Sequence, residues 1–173
     1  MLPSSCRGAI VISSGGGTLK AGDLRDPLTL LATGFGTGLF PYAPGTAGSL
    51  LAVLIWWFAF AELPLVARAA IALVAFGLGV LLVERVVRRH DLGDAPAIVW
   101  DEIAGCWLAL AVVPKSWPWV VAAFVLFRLG DVVKPWPVSW ADRSVPGGLG
   151  IMLDDFIAGG LVAVVLAVVL RIL

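Results

Sequence analysis

Three apolar runs, at residues 46–63, 69–83 and 156–170, each approach the roughly 20 residues at which a helix crosses a bilayer. They constrain the fold more than any other feature, because a helix is the form in which such a stretch satisfies its own backbone in lipid. Two shorter stretches, 103–113 and 117–127, flank Pro114, Lys115 and Ser116 and read as a hairpin whose arms need flanking residues to span. The expectation is an all-α fold: a small polytopic helical membrane protein with three to five membrane-embedded helices and its polar motif loops on one face. With 173 residues, 60% hydrophobic, and a mean hydropathy of +1.00, the chain fits one domain with little that resembles a water-soluble core.

Residues 1–27 carry Arg7, an apolar patch at 9–12 and Gly15-Gly16-Gly17, too little apolar length for a signal peptide. They read as a mobile N-terminal tail ahead of a single helical domain, 28–173. Formal net charge is zero, so charge balance implies no nucleic-acid partner. The placement of the cations says more. Nine of the twelve Lys and Arg fall in three segments: Arg7, Lys20 and Arg25; Arg85, Arg88 and Arg89; Arg128, Lys134 and Arg143. With five crossings these segments share one face, which the positive-inside rule assigns to the cytoplasm. Cys6 in the tail and Cys106 in an apolar run form no disulfide framework, and Cys106 reads as packing. Most of the eight Trp lie near apolar boundaries, as an interfacial belt requires.

Two acidic pairs, Asp101-Glu102 and Asp154-Asp155, stand at the starts of apolar runs, where ionisable groups are costly and usually functional. Helix capping alone would need one acid at each place. With Asp131, the pairs supply enough hard oxygen ligands for Mg²⁺. Arg128, Asp131 and Lys134 recur every three residues, placing them on one broad helix face before Pro135 ends it. That face reads either as an ion-pair ladder or as cations for a phosphate beside a metal ligand. Arg143 and a turn at Gly147-Gly148-Leu149-Gly150 are candidates to complete the pocket. Pro44-Gly45-Thr46-Ala47-Gly48-Ser49 offers hydroxyls at a helix start, with Thr46 or Ser49 as N-cap or as anion ligand, though it lacks the lysine of a P-loop. His90, the lone histidine, is either an acid–base group or a solvated side chain, and its solitude excludes two-histidine mechanisms.

Three blocks in order resemble the phosphatidylglycerophosphatase A family. The first is 31–39 running on to Pro44-Gly45-Thr46-Ala47-Gly48-Ser49; the second is Ile98-Val99-Trp100-Asp101-Glu102. The third runs from Phe127-Arg128-Leu129-Gly130-Asp131 through Lys134-Pro135-Trp136-Pro137, Asp142-Arg143 and Gly147-Gly148 to Asp154-Asp155. The resemblance covers roughly residues 28 to 170. It implies a Mg²⁺-dependent lipid phosphatase acting on phosphatidylglycerophosphate in the bacterial inner membrane, multi-pass, with its active site facing the cytoplasm. It also implies that the family's acidic positions fall on Asp101, Glu102, Asp131, Asp154 and Asp155, and its basic ones on Arg128, Lys134 and Arg143. A small cation-binding transporter or channel is the alternative, and it would place carboxylates facing one another within the spans.

Overall fold

The computed structural model describes residues 17–92 and 96–173; the expectations for Cys6, Arg7, the 9–12 patch and Gly15-Gly16 lie outside the described residues. Seven α-helices and no strand form among the described residues. They are α1 (Pro27–Ala32), α2 (Pro44–Ile55), α3 (Leu65–His90), α4 (Trp100–Leu110), α5 (Trp117–Val133), α6 (Val138–Ser144) and α7 (Gly147–Ile172). Within the expected tail, Ala21–Arg25 form a 3₁₀ turn and the Gly17 N–H donates to the Asp91 carbonyl at 3.3 Å, so this part is folded against the end of α3.

Proline opens α1 and α2, where its fixed φ suits the first helical position and its missing N–H leaves nothing unpaired. Asp26 caps α1 by accepting the Thr29 N–H at 3.0 Å. The residue before α2 is Ala43, at φ 52, so Thr46 and Ser49 lie inside the helix instead of capping it. Buried Ser49 donates its hydroxyl to the Gly45 carbonyl at 2.8 Å, the local bond an interior serine commonly makes. A π-helical stretch, Trp56–Phe60, continues α2, which makes the apolar run at 46–63 one rod with a wide last turn.

The helices alternate in direction. At one end, α3 finishes beside α1, with His90 Nε2 3.1 Å from the Thr29 hydroxyl, while Gly148 at the start of α7 donates to Glu84. At the other, Lys115 of the α4–α5 turn pairs with Glu62 of the α2–α3 turn at 2.9 Å, and Arg68 donates to the Val113 carbonyl at 2.7 Å. The Trp57 and Trp117 rings stack there at 4.3 Å.

α3 and α7 are long and apolar enough to cross a membrane. At 1.5 Å per residue their 26 residues extend about 39 Å, whereas the 11 residues of α4 reach only about 16 Å. This short helix is wedged among α7, α3 and α2. The Trp100 indole N–H donates to the Ala75 carbonyl at 3.1 Å, placing the start of α4 beside the middle of α3. Outward faces remain apolar: Leu73, Val74, Leu78 and Leu81 on α3 and Val164, Val165 and Val168 on α7 are exposed, a contiguous kind of surface that marks an interaction face.

Candidate active site

Asp101 and Glu102 occupy the first turn of α4, and the end of α1, the loop after it and the start of α2 pack against that turn. The Val99 N–H donates to the Ala32 carbonyl at 3.0 Å. Gly34 and Gly48 lie close against the Val99 side chain, and a side chain at either would collide with it. A Cβ on Gly45 would strike Glu102 Oε1 and press on Arg128 Nη1, so the start of α2 closes over this acid with only a glycine's clearance.

Asp155 arrives from α7. Gly105 and Gly159 allow the close approach: a Cβ at Gly105 would meet the Asp155 carbonyl, and one at Gly159 would meet the Gly105 carbonyl. Sequence alone places Asp154-Asp155 at a helix start, but α7 begins at Gly147 and both acids lie in its third turn. The expected turn at Gly147-Gly148-Leu149-Gly150 is itself helical, because an acid from α3 caps its freed N–H.

This geometry brings Asp101, Glu102 and Asp155 together, with one oxygen from each within 4.8 Å of the others. Asp101 Oδ1 and Glu102 Oε2 are buried without a hydrogen-bond partner. A buried acceptor is stable only when something satisfies it, and three converging carboxylates are the donor set a hard divalent cation takes. The residues therefore fit Mg²⁺.

The expected face of Arg128, Asp131 and Lys134 divides. Arg128 and Asp131 pair at 2.6 Å on α5, with Asp131 turned toward Asp155 and Glu102. Lys134 leaves the helix at φ 47 and reaches across to Asp142 of α6 and to Asp154 at 2.7 Å. Partial burial alone would lower the Lys134 pKa, but hydrogen bonds and charge from Asp142 and Asp154 outweigh it and hold the ammonium above the usual lysine value. Asp154 thus serves the lysine, while Asp155, one residue later, faces the carboxylate group.

Three expected phosphate ligands lie apart from these contacts. Arg143 is exposed in the last turn of α6. Thr46 is half-buried at a recess shared with Phe40, Tyr42 and Leu50, and Ser49 turns back to Gly45. His90 joins a chain that sequence reasoning did not reveal: its Nε2 meets the Thr29 hydroxyl, which donates to Asp26 at 2.9 Å, and Arg89 pairs with Asp26 at 2.8 Å. The Thr29 hydroxyl, the Thr29 N–H and then the Arg89 charge hold the Asp26 carboxyl below its ordinary value. This chain docks α1 on α3. Residue order leaves Glu84 unmarked, because its Gly148 partner lies across helices and only the Glu84–Arg88 spacing is local; Asp142, quoted within the third block, gains its role only from Lys134.

The sequence matches the family described as Phosphatidylglycerophosphatase A over residues 30–170. It is 43% identical to the Escherichia coli protein named Phosphatidylglycerophosphatase A over 137 residues, 79% of each chain. A Haemophilus influenzae protein of the same name is 39% identical over 81% of this chain and 86% of its own. A Bacteroides thetaiotaomicron protein, provisionally named a phosphatidylinositol-3-phosphatase, is 41% identical over 75% of this chain and 85% of its own. No solved structure matches.

Proposed function

The chain belongs to the phosphatidylglycerophosphatase A family, and from that premise we infer that it hydrolyses phosphatidylglycerophosphate to phosphatidylglycerol and inorganic phosphate. One observation carries the reading from family to residues: Asp101, Glu102 and Asp155 converge from α4 and α7 beside the Arg128–Asp131 pair. A lipid phosphate ester needs charge neutralisation, a positioned water and a membrane-level site, and these elements supply the protein's share of each.

In this reading Asp101, Glu102 and Asp155 hold Mg²⁺, with Asp131 adjacent. When bound, Mg²⁺ supplies Lewis acidity and neutralises phosphate charge. Arg128 binds phosphate oxygens through its guanidinium while Asp131 holds it in place. Lys134, fixed between Asp142 and Asp154, adds a second positive charge at the mouth of the site. A carboxylate oxygen of the acidic group takes a proton from the attacking water. Water oxygen bonds to phosphorus, the bond from phosphorus to the glycerol oxygen breaks, and that oxygen leaves with a proton as the alcohol.

We place the chain in the bacterial cytoplasmic membrane as a multi-pass protein of three to five membrane-embedded helices, its site toward the cytoplasm. The supporting pattern is one of charge. Lys20, Arg25, Arg85, Arg88, Arg89, Arg128, Lys134 and Arg143 lie on segments at or approaching the end where α3 finishes and α7 begins, against Arg68, Lys115 and Arg171 toward the other. The transporter alternative would also use carboxylates that face one another, but family membership and the adjacent Arg128 favour phosphoryl chemistry.

The deciding experiment measures phosphate release by purified protein in detergent from phosphatidylglycerophosphate and from phosphatidylinositol-3-phosphate, with Mg²⁺ and with chelator. Release from the first, lost on chelation, is the expected result. Equal rates with chelator would remove the metal from the mechanism, and preference for the inositol lipid would replace the substrate.

A further inference from the structure

Nothing in the sequence marks Glu84, six residues before the end of α3, as part of a site. In the structure its Oε2 accepts the Gly148 N–H at 2.6 Å, while Oε1 pairs with Arg88 one turn on at 2.5 Å. The first N–H groups of a helix have no partner within it, so an acid reaching over from a neighbouring helix fixes where that helix begins. The seat is also sterically tight. A Cβ at Gly148 would lie 2.6 Å from the Glu84 backbone nitrogen and 2.8 Å from the Val80 carbonyl. At Gly147, where φ is +71°, it would lie 2.7 Å from Glu84 Oε2. Further along α7, Met152 fills the space against Gly79 and Trp100, and the next turn delivers Asp154 and Asp155.

We propose that Glu84 is a positioning residue for the metal-binding carboxylates: by seating α7 at Gly148 it sets the axial register of Asp155 against Asp101 and Glu102. The proposal rests on reading those three acids as a metal site. Glu84 is not a catalytic residue. It bonds to Gly148 and Arg88, about 10 Å along α7 from Asp155 at 1.5 Å per residue. Its influence runs through the helix. A helix whose first turn is pinned carries its third turn to a defined height, and a metal site tolerates little error in that height.

The test reads Mn²⁺ affinity by electron paramagnetic resonance on the full chain in detergent, alongside kcat and KM for phosphate release. Glu84→Gln keeps an oxygen for the Gly148 N–H, whereas Glu84→Ala removes it. Glu84→Ala is expected to weaken Mn²⁺ binding about tenfold, the scale at which loss of an outer supporting contact affects a metal site. Its kcat should fall while KM holds, and Glu84→Gln should restore both affinity and kcat to near wild type. Glu84→Met, which keeps the side-chain stem but not the acceptor, carries the same expectation should the alanine variant fail to fold. Wild-type Mn²⁺ affinity in the folded Ala or Met variant overturns the proposal. So does a Gln variant as weak as Ala, which would assign the effect to charge. Wild-type protein that binds Mn²⁺ but releases no phosphate from phosphatidylglycerophosphate would instead overturn the substrate and leave Glu84's role intact.

Discussion

Lys134 holds its ammonium 2.7 Å from Oδ2 of Asp154. The adjacent acid, Asp155, points about 100° further round the helix, toward Asp101 and Asp131. Neighbours in sequence therefore have different partners and should have different phenotypes. Asp155→Asn is expected to lower kcat about 100-fold or more and to weaken divalent-cation binding. Asp154→Asn should leave cation binding close to wild type and raise KM, because it frees Lys134 from its position. Steady-state kinetics with a Mn²⁺ titration of each variant checks this; identical behaviour of the two would refute the division of roles.

Arg128 faces Asp131 at 2.6 Å and the start of α2 beyond it. A guanidinium can engage a carboxylate and a phosphate together through its planar fork, and an ammonium cannot reproduce that geometry. Arg128→Lys should therefore cost roughly tenfold in kcat/KM despite conserving charge. Kinetics at two ionic strengths provides the check, since full activity in the lysine variant would reduce Arg128 to a point charge.

Gly45 and Gly77 make a matched pair. A Cβ at Gly45 collides with Glu102, while one at Gly77 on α3 meets nothing within 4 Å. Gly45→Ala should reduce activity at least about tenfold through displacement of the acid. Gly77→Ala should leave activity alone and raise stability by about 0.5–1 kcal/mol, the usual gain for replacing a helix-interior glycine. Thermal melts and phosphate release on both variants decide the matter.

Asp26 predicts a pH dependence outside the Asp101, Glu102 and Asp155 cluster. Its folded carboxyl titrates below the ordinary value of 3.8 because the ionised form accepts from Thr29 and pairs with Arg89. A depressed folded pKa adds stability that is present above the unfolded value and is lost as pH falls through the folded one. The melting temperature of wild type should thus exceed that of Asp26→Asn at pH 7, with the gap closing only below about pH 4. A gap constant down to pH 3 would show that the carboxyl's charge contributes nothing to docking α1.

Some of this was readable from residue order alone. Apolar length marked the helices that become α2, α3 and α7, and Pro114 with Lys115 and Ser116 marked the turn between α4 and α5. Asp101-Glu102 stood out because a charged pair at the start of an apolar run is costly wherever the run packs. These signals are local, being properties of a stretch of chain and its solvent. What the tertiary structure decided was pairing. α7 extends back to Gly147 because Glu84 caps it, Asp154 turns to Lys134 while Asp155 turns inward, and Thr46 and Ser49 lie within α2 instead of at its mouth. Each outcome depends on the height and rotation of one helix against another. Close contacts at Gly45, Gly105, Gly148 and Gly159 set these quantities, and the apolar pattern of a single helix does not contain them.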